Sequence, residues 1–233
     1  MYKCEWERHW VDAHSETITD FITGTLCPLV ILDKSKIDVI TDLGCGHRPR
    51  SDLLNRILKP KYRILIDVGM PPYKDGKIIG NSLHIKGNIE ELFKETKCYE
   101  QKRRIAKFIG LGDINPNYME RKLEGQINIA LFSDILNYVD YKLVLDTIDR
   151  YIAKGGRMVI LNKPGRGYDE FFSEKGVKSN HELLDHIRSK GIYTMERCLD
   201  ATRSRPSYGP WREIGCLDYE DDNTWILLIA KKV

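Results

Sequence analysis

Residues 37–48 of this chain read IDVITDLGCGHR. The β-branched residues Ile37, Val39 and Ile40 form the short run expected of a strand buried on both faces of a parallel sheet. Gly44 and Gly46 follow, one residue apart, where a turn must be sharp and where a ligand can approach without meeting a Cβ. A helix is expected to begin near Ser51, with Ser51 as its N-cap, so its free N–H groups would face back toward that turn. Strand, glycine turn and helix together form a nucleotide-type binding corner.

Further strands are expected at Tyr62–Val68, Ser82–Lys86, Ile127–Phe132, Arg157–Leu161, Tyr193–Cys198 and Trp225–Ala230. Helical patterns separate most of them. One runs from about Tyr141 to Ala153, ended by a Gly155–Gly156 cap, and another from about His181 to Lys190. The alternation predicts an α/β fold with a doubly wound, mostly parallel seven-stranded sheet. Two final strands with no helix between them predict an antiparallel terminal strand. With 233 residues, no linker and no repeat, the chain reads as a single domain.

Two stretches stand apart from that pattern. Residues 1–36 read as a helical region over Glu5–Leu26 that Pro28 ends or bends. It packs on the domain edge or serves as a lid, the latter because Trp6, His9, Trp10 and His14 combine aromatic surface with titratable groups. Residues 93–126, with the basic run KRRIAK at 102–107, read as an insertion, a cap or a docking surface, the charge run itself being expected as a solvated helix face.

Asp67 closes the second strand 21 residues after Gly46. An acidic side chain there suits hydrogen bonding to ribose hydroxyls. A dinucleotide fingerprint would need glycine at position 49, which is Pro49. His181 and His186 in HELLDH are five residues apart, about 140° around a helix, so they do not form a zinc-binding pair. The six cysteines contain no C-x-x-C pair, and no metal site is expected. Basic residues exceed acidic ones by only 3, too little to argue for nucleic acid. The charged start and the lack of a long apolar run point to a cytoplasmic protein that does not enter a membrane.

With DLGCG at 42–46, Asp67, GNIEEL at 87–92, FSDILNYV at 132–139 and the helix–GG–strand pattern at 150–161, the chain resembles the class I S-adenosylmethionine-dependent methyltransferases over about residues 37–165. The resemblance implies the Rossmann-like fold of that family and S-adenosyl-L-methionine as cofactor. It implies that Asp42, Gly44, Gly46, Asp67, Asn88, Ile89 and Ser133 form the cofactor site, with the glycine turn under the methionyl group, Asp67 on the ribose, Asn88 and Ile89 at the adenine, and the segment at Ser133 and Asp134 lining the methionyl end and facing the substrate. Arg48 stands where the family often has glycine; it either reaches the cofactor carboxylate or points to solvent. Asn88 stands where aspartate is usual, and its amide oxygen can still accept the adenine N–H.

Methyl transfer from a sulfonium requires chiefly that the acceptor be held in line and dry. A base is needed only for a hydroxyl or a protonated amine, and His9, His14 and Tyr138 are the candidates. At the strand ends, Lys163, Arg166, Arg203, Arg205 and Arg212, with Trp10 and Trp211, would suit a small anionic or partly aromatic substrate; alternatively the basic residues pair with the acidic residues of 213–222. The leading expectation is a methyltransferase acting on a small molecule at O or N. The alternatives are an inert partner subunit, or an RNA methyltransferase resting on KRRIAK alone. FSDI in place of an N/D-P-P-Y/F motif counts against nucleic acid. A homodimer is a further possibility.

Overall fold

The computed structural model describes residues 15–46, 49–92, 98–163, 173–201, 211–213 and 225–233. The run after Ile37 forms β1 (Val39–Leu43), buried along its whole length. It lies between two parallel partners, β2 (Tyr62–Asp67) and β5 (Ile127–Ser133), with Val39 opposite Tyr62 and Ile40 opposite Ile129. β4 (Ser82–Lys86) extends the sheet beyond β2, and β6 (Ile152–Asn162) extends it beyond β5, both parallel. β9 (Ile226–Lys232) runs antiparallel between β6 and β7 (Tyr193–Ala201). All seven expected strands are present, and β9 is the antiparallel terminal strand. Short strands β3 (Ile78–Ile79) and β8 (Trp211–Glu213) add an edge on each side, giving the order β3-β4-β2-β1-β5-β6-β9-β7-β8.

Strand alternation divides the core between the two faces. One face receives Ile64, Ile66, Ala130, Phe132, Met158 and Ile160 and is covered by α3 (Ile89–Leu92), α4 (Tyr99–Phe108), α5 (Pro116–Leu123), α6 (Tyr141–Ile148) and α7 (Asn180–Ser189). The other receives Ile129, Leu131, Val159 and Leu161 and is covered by α1 (Ser15–Leu32) and α2 (Ser51–Leu58). The chain leaves β1 outward through β2 and β4, then returns to its other side at β5. A crevice opens at such a reversal, beyond the carboxyl ends of β1 and β5.

Three local expectations are corrected. Pro28 does not end the first helix, which continues to Leu32. Its ring is on the exposed side, and Gly24, whose carbonyl loses an N–H partner, is exposed to water. Burial of Ile22, Leu26, Cys27 and Val30 on the sheet holds the flanking turns together. The helix from Tyr141 stops at Ile148, and Tyr151 and Ile152 lie outside it. The glycine pair that was expected to cap it lies within β6, where the pairing with β5 is irregular. A Cβ on Gly156 would come within 3.0 Å of the Ile127 carbonyl oxygen, so the close approach needs glycine. Ser51 is not a capping side chain either; it opens α2, and its N–H is served from β1, as described below.

Over their described residues, the two stretches that stood apart pack on the sheet. α1 supplies Ile22, Leu26, Cys27 and Val30 to one core cluster. Within 93–126, Ile105, Ala106, Met119 and Leu123 of α4 and α5 belong to the other. Lys102 of the basic run is buried, not solvated, and its ammonium pairs with Glu120 across the two helices. Between β2 and β4 the chain forms a turn over residues 68–77 and then β3, with no helix.

Candidate active site

The turn after β1 is built from two glycines with positive φ, +74° at Gly44 and +59° at Gly46. The Gly44 and Cys45 N–H groups donate to the Ile66 carbonyl at 2.8 and 3.1 Å, closing the turn against β2. The two glycines serve different purposes. A Cβ on Gly44 would lie 2.5 Å from Cγ1 of Ile135, so its bare Cα admits a side chain from the loop after β5. No described residue lies within 4 Å of the same position on Gly46. The open approach expected for a ligand exists at Gly46, not at Gly44.

Asp42, expected among the cofactor residues, is fully buried. Its Oδ2 accepts the Ser51 N–H at 3.0 Å, which anchors the start of α2 beneath the glycine turn. Burial pushes its carboxyl up to about 6, against the opposing pull of the Ser51 hydrogen bond. It supports the turn from below and offers no surface to a ligand.

Asp67 stands half-buried at the end of β2. Its Oδ2 accepts the Gly46 N–H at 2.9 Å and its Oδ1 accepts the Gly69 N–H at 2.6 Å. A carboxylate has about four acceptor sites, so capacity remains for hydroxyl donors. Next to it, Val68 is 68% exposed. An apolar side chain held in water beside an acidic one can cover the face of a ring. Sequence reasoning passed over Val68; the available signal was a valine just past the strand end, where core packing gives it no role.

Asn88 is exposed, and its Oδ1 accepts the Glu90 N–H at 2.9 Å, capping the short α3. Ile89, expected to pack on the adenine ring, has 5% of its surface exposed and belongs to the core cluster. Little of it is open to a ring, so the exposed apolar surface on this side comes from Val68.

Beyond β5, Ser133 is half-buried and paired opposite Leu161 of β6. Asp134 follows with φ +55°, a conformation that costs a non-glycine residue about 1 kcal/mol or more. Its N–H donates to the Leu161 carbonyl at 2.8 Å. Burial pushes its carboxyl up to about 7, and the positive charges of Arg50 and Lys163 hold it from rising further. The structure thus gathers Asp134, Arg50 and Lys163 at the carboxyl ends of the central strands. Asp134 lies in the segment expected, with Ser133, to line the methionyl end and face the substrate; Arg50 was not among the expected site residues. Asn137 steadies the same loop by donating from Nδ2 to the Lys163 carbonyl at 2.5 Å. Tyr138, a candidate base, is half-buried in this loop, with its N–H bound to the Ile135 carbonyl at 3.0 Å.

Trp10, His14, Arg48, Arg203 and Arg205 lie outside the described residues, as do His9 and Arg166. The Trp211 backbone begins β8 opposite Ala201, and its side chain lies outside the described set, as does that of Arg212. Among the described residues no group of three His, Cys, Asp or Glu side chains is arranged to hold a metal, and no helix is long and apolar enough to cross a membrane.

No protein-family profile matches the sequence, and no curated protein matches it. Solved structures do match its fold. A 1,6-didemethyltoxoflavin N1-methyltransferase from Burkholderia thailandensis, solved with 1,6-didemethyltoxoflavin and S-adenosylhomocysteine, is 13% identical with a TM-score of 0.51, covering 94% of this chain and 86% of that one. A geranyl diphosphate methyltransferase, solved with GPP and sinefungin, is also 13% identical, with a TM-score of 0.57 and coverage of 94% and 78%. The (4+2)-cyclase SpnF is 12% identical, with a TM-score of 0.56 and coverage of 93% and 80%. At this identity the likeness is one of fold, and the cyclase carries another chemistry on it. The reversal at β1, the glycine turn tied to Asp67 and these neighbours together give the chain the fold of the class I S-adenosylmethionine-dependent methyltransferases.

Proposed function

We propose that the chain is an S-adenosylmethionine-dependent methyltransferase that acts on a small molecule. The observation that carries this reading is the joining of Gly46 to Asp67. An open left-handed glycine is hydrogen-bonded to an acidic residue at the end of the neighbouring strand, at the sheet's reversal point. The residues present fit the donor. Gly46 leaves space for its methionyl part, Asp67 retains acceptor sites for ribose hydroxyls, and Val68 offers an apolar face for adenine. Asn88 is assigned to the adenine end, where its amide N–H₂ and a second lone pair on Oδ1 would serve the base edge. When bound, the donor supplies an activated methyl carbon.

The protein's own part is positioning and proton handling. Asp134 is the group we assign as proton acceptor, because a carboxyl near 7 can take a proton from a hydroxyl or an ammonium at working pH. Ser133 and Tyr138, on the same loop, are assigned as hydrogen-bonding groups for the acceptor molecule. Lys163, with Arg203 and Arg205, suits a substrate that carries negative charge, and Trp10 and Trp211 suit an aromatic part of it.

Isothermal titration with S-adenosylmethionine and S-adenosylhomocysteine tests the reading. Micromolar binding, at about −8 kcal/mol, is the expected result. Absence of binding to either would overturn it, and tight binding without turnover across a panel of small hydroxyl and amine acceptors would favour an inert partner subunit.

A further inference from the structure

The connection from β2 to β4 lacks a helix, and this leaves part of one sheet face without a helical cover. On that face the two strands present Arg63 and Leu65, then Ser82 and His84, while Ile64, Ile66, Leu83 and Ile85 point into the main core. The turn over 68–77 arches above them and leaves an open crevice of about 260 Å³, lined by Pro49, Asp52, Arg63, Met70, Lys74 and His84. Among the described candidate cofactor residues only Gly46 borders it; Asp67, Asn88 and Ser133 do not.

A crevice lined with an arginine, a lysine and a histidine is not shaped for an apolar helix. His84 is only 9% exposed, and its Nδ1 has no hydrogen-bond partner. Its backbone is pinned to the turn at both ends, since its N–H donates to the Lys77 carbonyl at 3.0 Å and its carbonyl accepts the Gly76 N–H at 2.8 Å. A buried polar atom left unpaired costs about 1–3 kcal/mol, and a ligand that completes it recovers that cost. Arg63 is fixed by Nε donating to Ser82 Oγ at 2.8 Å and by Nη1 pairing with Asp52. That pairing neutralises the one carboxylate in the lining. Lys74 makes no ion pair among the described residues, so its charge is uncompensated.

We propose that this crevice is a binding site for a tetrahedral oxyanion, free or carried as a phosphate ester, held by Lys74, Arg63 and His84. The charged groups that face His84 are Lys74 from the turn, Arg63 from β2 and Asp52 from α2. Burial, then Lys74 and Arg63, hold the imidazole below its ordinary range, and Asp52 opposes them. A dianion in the crevice reverses that balance and favours the imidazolium. Binding therefore takes up a proton, and affinity rises as pH falls.

Inorganic sulfate is the probe, because its charge does not change near neutrality. Calorimetric titration of the full chain, with chloride at matched ionic strength as control, is expected to show saturable binding about fivefold tighter at about pH 5.5 than at about pH 8. Lys74→Ala is expected to weaken it about fivefold or more at either pH. His84→Gln is expected to abolish the pH dependence and leave weaker binding at both. Glycerol 3-phosphate binding at least as tightly as sulfate identifies an ester as the ligand; tighter inorganic phosphate identifies the free anion. No saturable sulfate binding, or binding unchanged in Lys74→Ala, overturns the proposal. Lys74 is partly exposed, so that variant decides the matter even if His84→Gln does not fold.

Discussion

The Gly46 N–H donates to Oδ2 of Asp67 across 2.9 Å, so the turn after β1 and the end of β2 behave as one unit. Asp67 fixes the glycine turn from the same carboxylate that is proposed to hold the ribose. The turn's shape and the donor's affinity are thereby linked through one side chain.

Asp67→Ala is expected to reduce S-adenosylhomocysteine affinity about tenfold or more, since it removes both a ligand acceptor and the anchor of Gly46. Asp67→Asn keeps one acceptor oxygen and is expected to lose less. Calorimetric titration of both proteins checks this, and equal affinity in parent and Asp67→Ala would exclude the ribose role.

The two glycines of the turn should separate folding from binding. Gly44→Ala must push Ile135 aside from 2.5 Å and adopt a positive φ, so urea unfolding should show a loss of about 2 kcal/mol or more. Gly46→Ala meets no described residue within 4 Å and is expected to cost only about 1 kcal/mol. Its new methyl group occupies the donor's approach, so affinity should fall while the fold persists.

Asp134 should titrate near 7 in the free protein, visible in its carboxyl carbon chemical shift. Arg50→Ala and Lys163→Ala each remove a positive charge that favours the carboxylate, so each should move the titration upward. Where the acceptor must lose a proton, turnover should rise as pH increases through about 7, and Asp134→Asn should lose that limb. A titration that ignores both cations would remove the electrostatic basis for this assignment.

Asp42 gives a stability test. Its folded carboxyl lies at about 6 against an ordinary 3.8, so the folded state holds a proton that the unfolded chain releases. The contribution is complete below the ordinary value and is lost as pH rises through about 6, by about 3 kcal/mol at most. Asp42→Asn keeps an acceptor for the Ser51 N–H without the buried charge. Urea unfolding should therefore show the variant gaining on the parent between about pH 4 and 6 and holding a constant difference above that.

The strands were legible because each is a short β-branched or apolar run bounded by glycine, proline or polar residues, and burial on both faces demands just that composition. The end of α6 was not. Tyr151 and Ile152 continue a helical stripe in the sequence, yet the pairing of Ile152 with Ile127 draws them into the sheet. Pro28 misled for a related reason, since a helix tolerates proline when the missing hydrogen bond faces water and the opposite side is well packed. Asp67 and the glycine turn were legible from spacing, but the division of labour between Gly44 and Gly46 was not. It depends on Ile135, which is 91 residues from Gly44 in the chain.

Local composition and short-range spacing set the strand–helix alternation, the glycine turn and the acidic residue at the end of β2. Which of those residues a ligand can reach depends on long-range packing. It buried Asp42 and Ile89, exposed Val68, and brought the charges of Arg50 and Lys163 to bear on Asp134. Exposure and electrostatic environment depend on neighbours distant in sequence, and only the closed sheet brings those neighbours together.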